Sequence, residues 1–139
     1  MTDRVLVPMD DSEMAQKALE YALKAYDGAE ITVLHVVGKS TPMMGEIVGL
    51  ALEDDLQGAA EQRAEEIFDN AHNIAEKYDT EITTTVTIGH PARNIVEKSA
   101  EFDTVVIGSH SGSLADRLYV GNIAKKVIRS APVPVVVIR

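Results

Sequence analysis

Small and hydroxyl-bearing residues crowd one stretch of the chain, Gly108-Ser109-His110-Ser111-Gly112-Ser113, and Gly121-Asn122 follows at what reads as the start of a helix. Small residues let a phosphate approach the backbone, and a helix start adds unpaired N–H groups and the positive end of a dipole. Ser109, Ser111, Ser113 and Asn122 add side-chain donors. The same composition also serves an ordinary strand-to-helix connection, and a lone Gly/Ser loop does not decide between the two. A second group, Asp10-Asp11, follows a short apolar run. A phosphoacceptor receiver domain carries such an acidic pair, but it also needs an Asp at the end of the third strand and a Lys at the end of the fifth. Those positions read Thr87-Ile88-Gly89 and Ile138-Arg139 here, so that chemistry is not expected.

Other chemistries are poorly provided for. The 139 residues include no cysteine, which excludes disulfides, thiolate metal sites and a cysteine nucleophile. His35, His72, His90 and His110 show no metal-ligand spacing. His35 lies inside a strand and reads as a satisfied core or rim histidine, His72 as solvated on a helix, His90 as a rim residue and His110 as an exposed loop residue. No nucleophile stands with a paired base, so no catalytic residue is assigned and no protein-held metal is expected. Nothing here identifies a general base for a hydrolytic water.

The net charge is -9, which argues against sequence-independent nucleic-acid binding. The charge is uneven. Residues 1–102 carry a balance of -12, whereas Arg117, Lys125, Lys126, Arg129 and Arg139 against Asp103 and Asp116 leave residues 103–139 at +3. An anion is favoured in that last third, although an acidic surface with one less acidic side would read the same way. The start, MTDRVLVPMDD, lacks a charged-then-apolar signal pattern, and no apolar run approaches ~18 residues. A soluble cytoplasmic protein without a membrane segment is the expectation.

Strands and helices must alternate to position these groups. Arg4–Pro8 is short, apolar and strand-like. Asp10, Asp11 or Ser12 can cap the next helix, and Asp10 with Glu13 has the spacing of a capping pair. Ala15, Ala18, Leu19, Ala22, Leu23 and Tyr26 recur at helical spacing until Gly28. Glu30–Val37 is a second strand, and Lys39–Leu52 reads as an irregular loop. Leu56, Ala60, Ala64, Ile67, Ala71, Ile74 and Tyr78 predict a long helix over Glu53–Tyr78. Glu81–Ile88 is a third strand whose threonines predict an exposed face at a sheet edge. Pro91 opens a helix with Ala92, Ile95, Val96 and Ala100 inward. Phe102–Gly108 holds a fourth strand, and a last helix buries Leu118, Ile123, Val127, Ile128 and Ala131. Val133–Ile138 is the fifth strand.

This alternation predicts one α/β domain over residues 1–139, a doubly wound five-stranded parallel sheet with helices on both faces. Strand 1 belongs near the middle, with strands 3 and 5 at the edges. Ligands then bind beyond the carboxyl ends of strands 1 and 4, where the winding reverses. The fifth strand is an apolar edge that only Pro132 and Pro134 blunt, so Val135–Arg139 is expected to pair with a second copy as a homodimer.

Four segments in order, VLVPMDDSEMAQKALEYA, ITVLHVV, GHPARNIVEKSAEFDTVVIGSHSG and GNIAKKVIRSAPVPVVVIR, resemble the universal stress protein family along the whole chain. The resemblance implies the strand order 3-2-1-4-5 and a dimer. One branch of that family binds ATP with the pattern Gly, two residues, Gly, nine residues, then Gly followed by Ser or Thr. Gly108 and Gly121 stand at the family's separation, whereas Ser111 replaces the middle glycine and Asn122 the final hydroxyl residue, with Gly112 one place late. By this resemblance Asp10 contacts ribose or adenine, Pro8 and Met9 form the neighbouring wall, and the Val36 backbone meets adenine. Gly108, Ser111, Gly121 and Asn122 cradle phosphates, with Ser109, His110 and Gly112 in the same loop, and Mg²⁺ comes with the phosphates; a bound ATP would be hydrolysed slowly at most. Two readings stand: an ATP-binding dimeric switch in a stress response, and a ligand-free dimerisation and protein-interaction module with a vestigial crevice.

Overall fold

The apolar runs become strands because β-branched residues pack well on a pleated surface buried on both sides. The computed structural model of the chain describes residues 2–38, 53–109 and 121–139. These form β1 (Arg4–Pro8), α1 (Glu13–Ala25), β2 (Glu30–Gly38), α2 (Glu53–Lys77), β3 (Ile82–Gly89), α3 (Pro91–Ser99), β4 (Thr104–Gly108), α4 (Asn122–Ser130) and β5 (Val135–Ile138). The five strands make one parallel sheet in the order β3-β2-β1-β4-β5. The irregular loop expected over Lys39–Leu52, and Leu118 of the last helix, lie outside the described residues.

Alternate residues of the strands feed two cores. Val5, Val7, Ile31, Val33 and Val106 pack with α1 and α2, whereas Leu6, Leu34, Val105 and Ile107 pack with Ile95 of α3 and Val127 of α4. Helices therefore cover both faces. The apolar stripe of α2 is largely alanine, with Ala60, Ala64, Ala71 and Ala75 all buried, which lets the long helix lie close to the sheet.

Several local expectations are corrected by what packs where. The helix α1 is capped by Ser12, whose Oγ accepts from the Ala15 N–H at 3.1 Å, so Asp10 and Glu13 are not the capping pair. The threonine side of β3 is only partly open. Thr83 is exposed, but Thr85 and Thr87 are half-buried, and the Thr87 hydroxyl is buried without a partner among the described residues. In α3 the inward position after Ile95 is Ser99, not Ala100, and the Ser99 hydroxyl is satisfied by donating to the Val96 carbonyl at 2.6 Å. In α4 only Ala124 and Val127 are buried, while Ile123 and Ile128 are 37% and 46% exposed. β5 begins at Val135 rather than Val133, because proline lacks the N–H a ladder needs. The Pro134 carbonyl still serves β4, accepting from the Val105 N–H at 3.0 Å and the Thr104 hydroxyl at 2.8 Å.

Candidate functional site

β1 and β4 are neighbours, and their carboxyl ends bring two turns together where the winding changes direction. The first turn is Met9–Ser12. The β1–β2 ladder ends at Pro8 against Leu34, and one further bond runs from the Met9 N–H to the Leu34 carbonyl at 2.8 Å. The Met9 carbonyl then accepts from the His35 imidazole Nδ1 at 2.8 Å. Asp10 comes next, partly exposed, with Oδ1 accepting from the Ser12 N–H at 2.9 Å. Asp10 also borders a cleft beside the turn.

The second turn begins at Gly108. A Cβ there would stand 2.9 Å from Met14 Cγ and 3.0 Å from the Met14 carbonyl carbon and oxygen. Glycine is therefore what allows the first turn of α1 to rest against the end of β4. Ser109 follows and is fully buried. Its N–H donates to the Ile138 carbonyl at 2.7 Å, and its carbonyl accepts from the Gly121 N–H, so it ties the end of β5 to the start of α4. The Ser109 hydroxyl is buried and has no partner among the described residues. Gly121 is the N-cap of α4, with no side-chain capping bond, no acidic residue in the first turn, and Lys125, Lys126 and Arg129 along the helix.

The sequence-expected residues thus fall into three groups. Asp10, Ser109, Gly121 and the exposed Asn122 lie at the carboxyl ends, as expected. Pro8 and Met9 are buried, and Met9, 4% exposed, packs into the α1/α2 core instead of lining an open wall with its side chain. Val36 pairs with Thr87 in β2–β3 register, and its side chain is half-buried against the core that Leu34 shares with Ile95 of α3. His110, Ser111 and Gly112 lie outside the described residues. Of the other histidines, His35 is satisfied by the Met9 carbonyl and His72 is exposed. His90 is the exposed N-cap of α3, and its carbonyl accepts from Asn94.

Sequence reading missed a cleft of about 800 Å³ beside Asp10 and His35, where α2 contributes Glu66, Asp69 and Asn70 and α1 contributes Gln16. Only the helical register of α2 against α1 puts those residues there. Four carboxylates, Asp10, Asp11, Glu66 and Asp69, face this space. Like charges repel phosphate, so the cleft suits the uncharged or hydroxyl end of a ligand and the start of α4 suits the anionic end. Among the described residues no three His, Cys, Asp or Glu are grouped to hold a metal ion, and no helix is long and apolar enough to cross a membrane.

The comparisons agree with this architecture. The chain is 28% identical to a universal stress protein of Methanocaldococcus jannaschii, over 98% of this chain and 81% of that protein. The solved structure of the universal stress protein UspA from Lactobacillus plantarum superposes with a TM-score of 0.77 at 25% identity, covering 99% of this chain and 98% of that one. A universal stress protein from Archaeoglobus fulgidus, solved in complex with dAMP, superposes with a TM-score of 0.67 at 21% identity, covering 100% and 98% of the two chains. The model of the universal stress protein family matches residues 1–139. The chain belongs to the universal stress protein family.

Proposed function

We propose that the chain binds an adenine nucleotide across the carboxyl ends of β1 and β4. The sugar lies at Asp10, the base near the Val36 backbone, and the phosphates at the start of α4. One observation carries the reading: hydrogen-bonding capacity left unused around Ser109 and Gly121. The Ser109 hydroxyl is buried without a described partner, and the first N–H groups of α4 have no side-chain cap. A buried hydroxyl is costly to leave unmatched, and phosphate oxygens would match both it and the helix N–H groups. The dAMP complex of the Archaeoglobus relative supports the ligand class. In this reading the ligand is ATP. It brings Mg²⁺ with its phosphates and supplies the negative charge that the +3 balance of residues 103–139 attracts.

The test is calorimetry of the purified chain with Mg-ATP, after absorbance at 260 nm has shown whether nucleotide was carried through purification. Wild type should bind. Gly121→Val should abolish binding while leaving the fold intact, because a branched side chain at the N-cap blocks close approach to the backbone. Unchanged affinity in that variant would refute the site. No binding by wild type would favour the second reading, a ligand-free interaction module. That reading has its own support, since Gly108 is required by Met14 whether or not a phosphate is bound.

The switch is read as dimeric. Among the described residues β5 has β4 as its one neighbour in the sheet, and its four residues are half-buried. The outer side of Val135–Ile138 would then pair antiparallel with a second copy about a two-fold axis. Sedimentation should show a homodimer at micromolar concentration, and Val136→Pro should give monomer or aggregate. A stable wild-type monomer would remove the dimer from the proposal.

A further inference from the structure

Asp10 can serve a ligand only if the turn that carries it is held, and most of that hold comes from β2. Past the last ladder pair, Pro8 against Leu34, the Met9 N–H is taken by the Leu34 carbonyl and the Met9 carbonyl by the His35 ring, each at 2.8 Å. A carbonyl only accepts, so the proton of the second bond is on Nδ1 of His35. The Met9 carbonyl belongs to the same planar unit as the Asp10 N–H, so orienting one orients the other. From Asp10 the order continues through the Ser12 N–H on Asp10 Oδ1 and the Ser12 hydroxyl on the Ala15 N–H, which reaches the first turn of α1. His35 is half-buried in a strand whose neighbours Val33, Leu34 and Val37 are buried, and it lines the same cleft as Asp10.

We infer that His35 is a positioning residue. It fixes the Met9–Asp10 peptide and thereby sets the Asp10 carboxylate for the sugar end of the ligand, an inference that rests on the nucleotide reading above.

His35→Leu removes the donor, and His35→Asn places an amide N–H close to where Nδ1–H stood. The readouts are ATP affinity, affinity for a 2′,3′-dideoxy analogue, and amide hydrogen exchange at Ser12 and Ala15. In wild type ATP should bind roughly 10- to 150-fold tighter than the analogue, the usual worth of one hydrogen bond to a charged group. His35→Leu should bring that ratio towards one and speed exchange at Ser12 and Ala15, and His35→Asn should restore both. Equal weakening of the two ligands in His35→Leu, with exchange unchanged, would overturn the inference. If wild type binds no nucleotide, the nucleotide reading fails by itself. Exchange at Ser12 and Ala15 then decides whether His35 holds the turn: faster in His35→Leu and rescued in His35→Asn supports it, unchanged overturns it. Should His35→Leu not fold, ¹⁵N spectra of the wild-type ring still decide, because a neutral Nε2–H tautomer is incompatible with the bond to Met9.

Discussion

The two ends of the sheet use the same materials to opposite effect. At the amino end, the Asp103 carboxylate accepts from the Arg4 N–H at 2.8 Å and the Asp3 N–H at 2.9 Å, which joins the starts of β4 and β1. The Arg4 guanidinium donates to the Glu101 carbonyl at 2.6 Å and lies 4.7 Å from the centre of the Phe102 ring. The Glu30 N–H and Asp103 N–H are taken by the Asp3 and Arg4 carbonyls. The backbone N–H groups of Asp3, Arg4, Glu30 and Asp103 are all answered by another part of the chain. At the carboxyl end an aspartate also accepts a backbone N–H, but nearby groups are left without partners among the described residues. Ser109 has a buried hydroxyl to offer, and α4 starts without a side-chain cap. The helix starts repeat the contrast, since α1 is closed by Ser12 and α4 opens on Gly121. An end whose hydrogen bonds are complete contributes stability, and an end with donors and acceptors to spare is prepared for a ligand.

Substitutions at each end should separate these roles. The largest stability effect is expected at Gly108. Gly108→Ala puts a methyl group against Met14 backbone atoms that cannot swing away, and overpacking of this kind costs ~1–3 kcal/mol. Urea unfolding should show the loss with no ligand present. A neutral result would mean that the end of β4 and α1 are not in close contact. Asp10→Ala should leave unfolding almost unchanged and weaken ATP by ~1–3 kcal/mol, the range for a hydrogen bond to a charged group. The 2′,3′-dideoxy analogue should lose much less, and equal losses would exclude the sugar contact.

The smallest effect belongs to Asp103 and appears only in acid. The backbone N–H groups of Arg4 and then Asp3 hold its carboxyl below the ordinary carboxylate range, against a smaller opposing effect of desolvation. A group with a depressed folded pKa contributes stability above its unfolded value, and that stability is lost as pH falls through the folded value. Wild type should therefore lose stability on acidification below about pH 4, the unfolded carboxylate range. Asp103→Asn keeps an oxygen acceptor in place and should lose less over the same interval. Urea midpoints measured as a function of pH check this, and parallel curves for the two proteins would count against it.

Alternation of strand and helix was legible from periodicity because it is written locally. A strand buried on both faces reads as a continuous apolar run, as in β1 and β4, and a helix on a sheet reads as steps of three and four, as in α2. The position of the candidate site followed from that order alone, since a reversal of winding places it at the carboxyl ends of β1 and β4. The failures came where identity at one position depends on a distant partner. Which of Asp10, Asp11 and Ser12 capped α1 depended on the path of the turn, and β2 sets that path through Met9. Ile123 and Ile128 carry the composition of a buried stripe, yet α4 is nine residues long and presents only Ala124 and Val127 to the sheet. Gly121 read as the start of a helix, but nothing local gave Gly108 its task. Only the packing of α1 against β4 shows that Gly108 makes room for Met14. The sequence by itself determined the elements, their order and the end of the sheet where the candidate site lies, because those follow from residue type and spacing. The tertiary structure alone decided which hydrogen bonds closed within the protein and which stayed open, because each depends on groups that come together only when the two windings of the sheet meet.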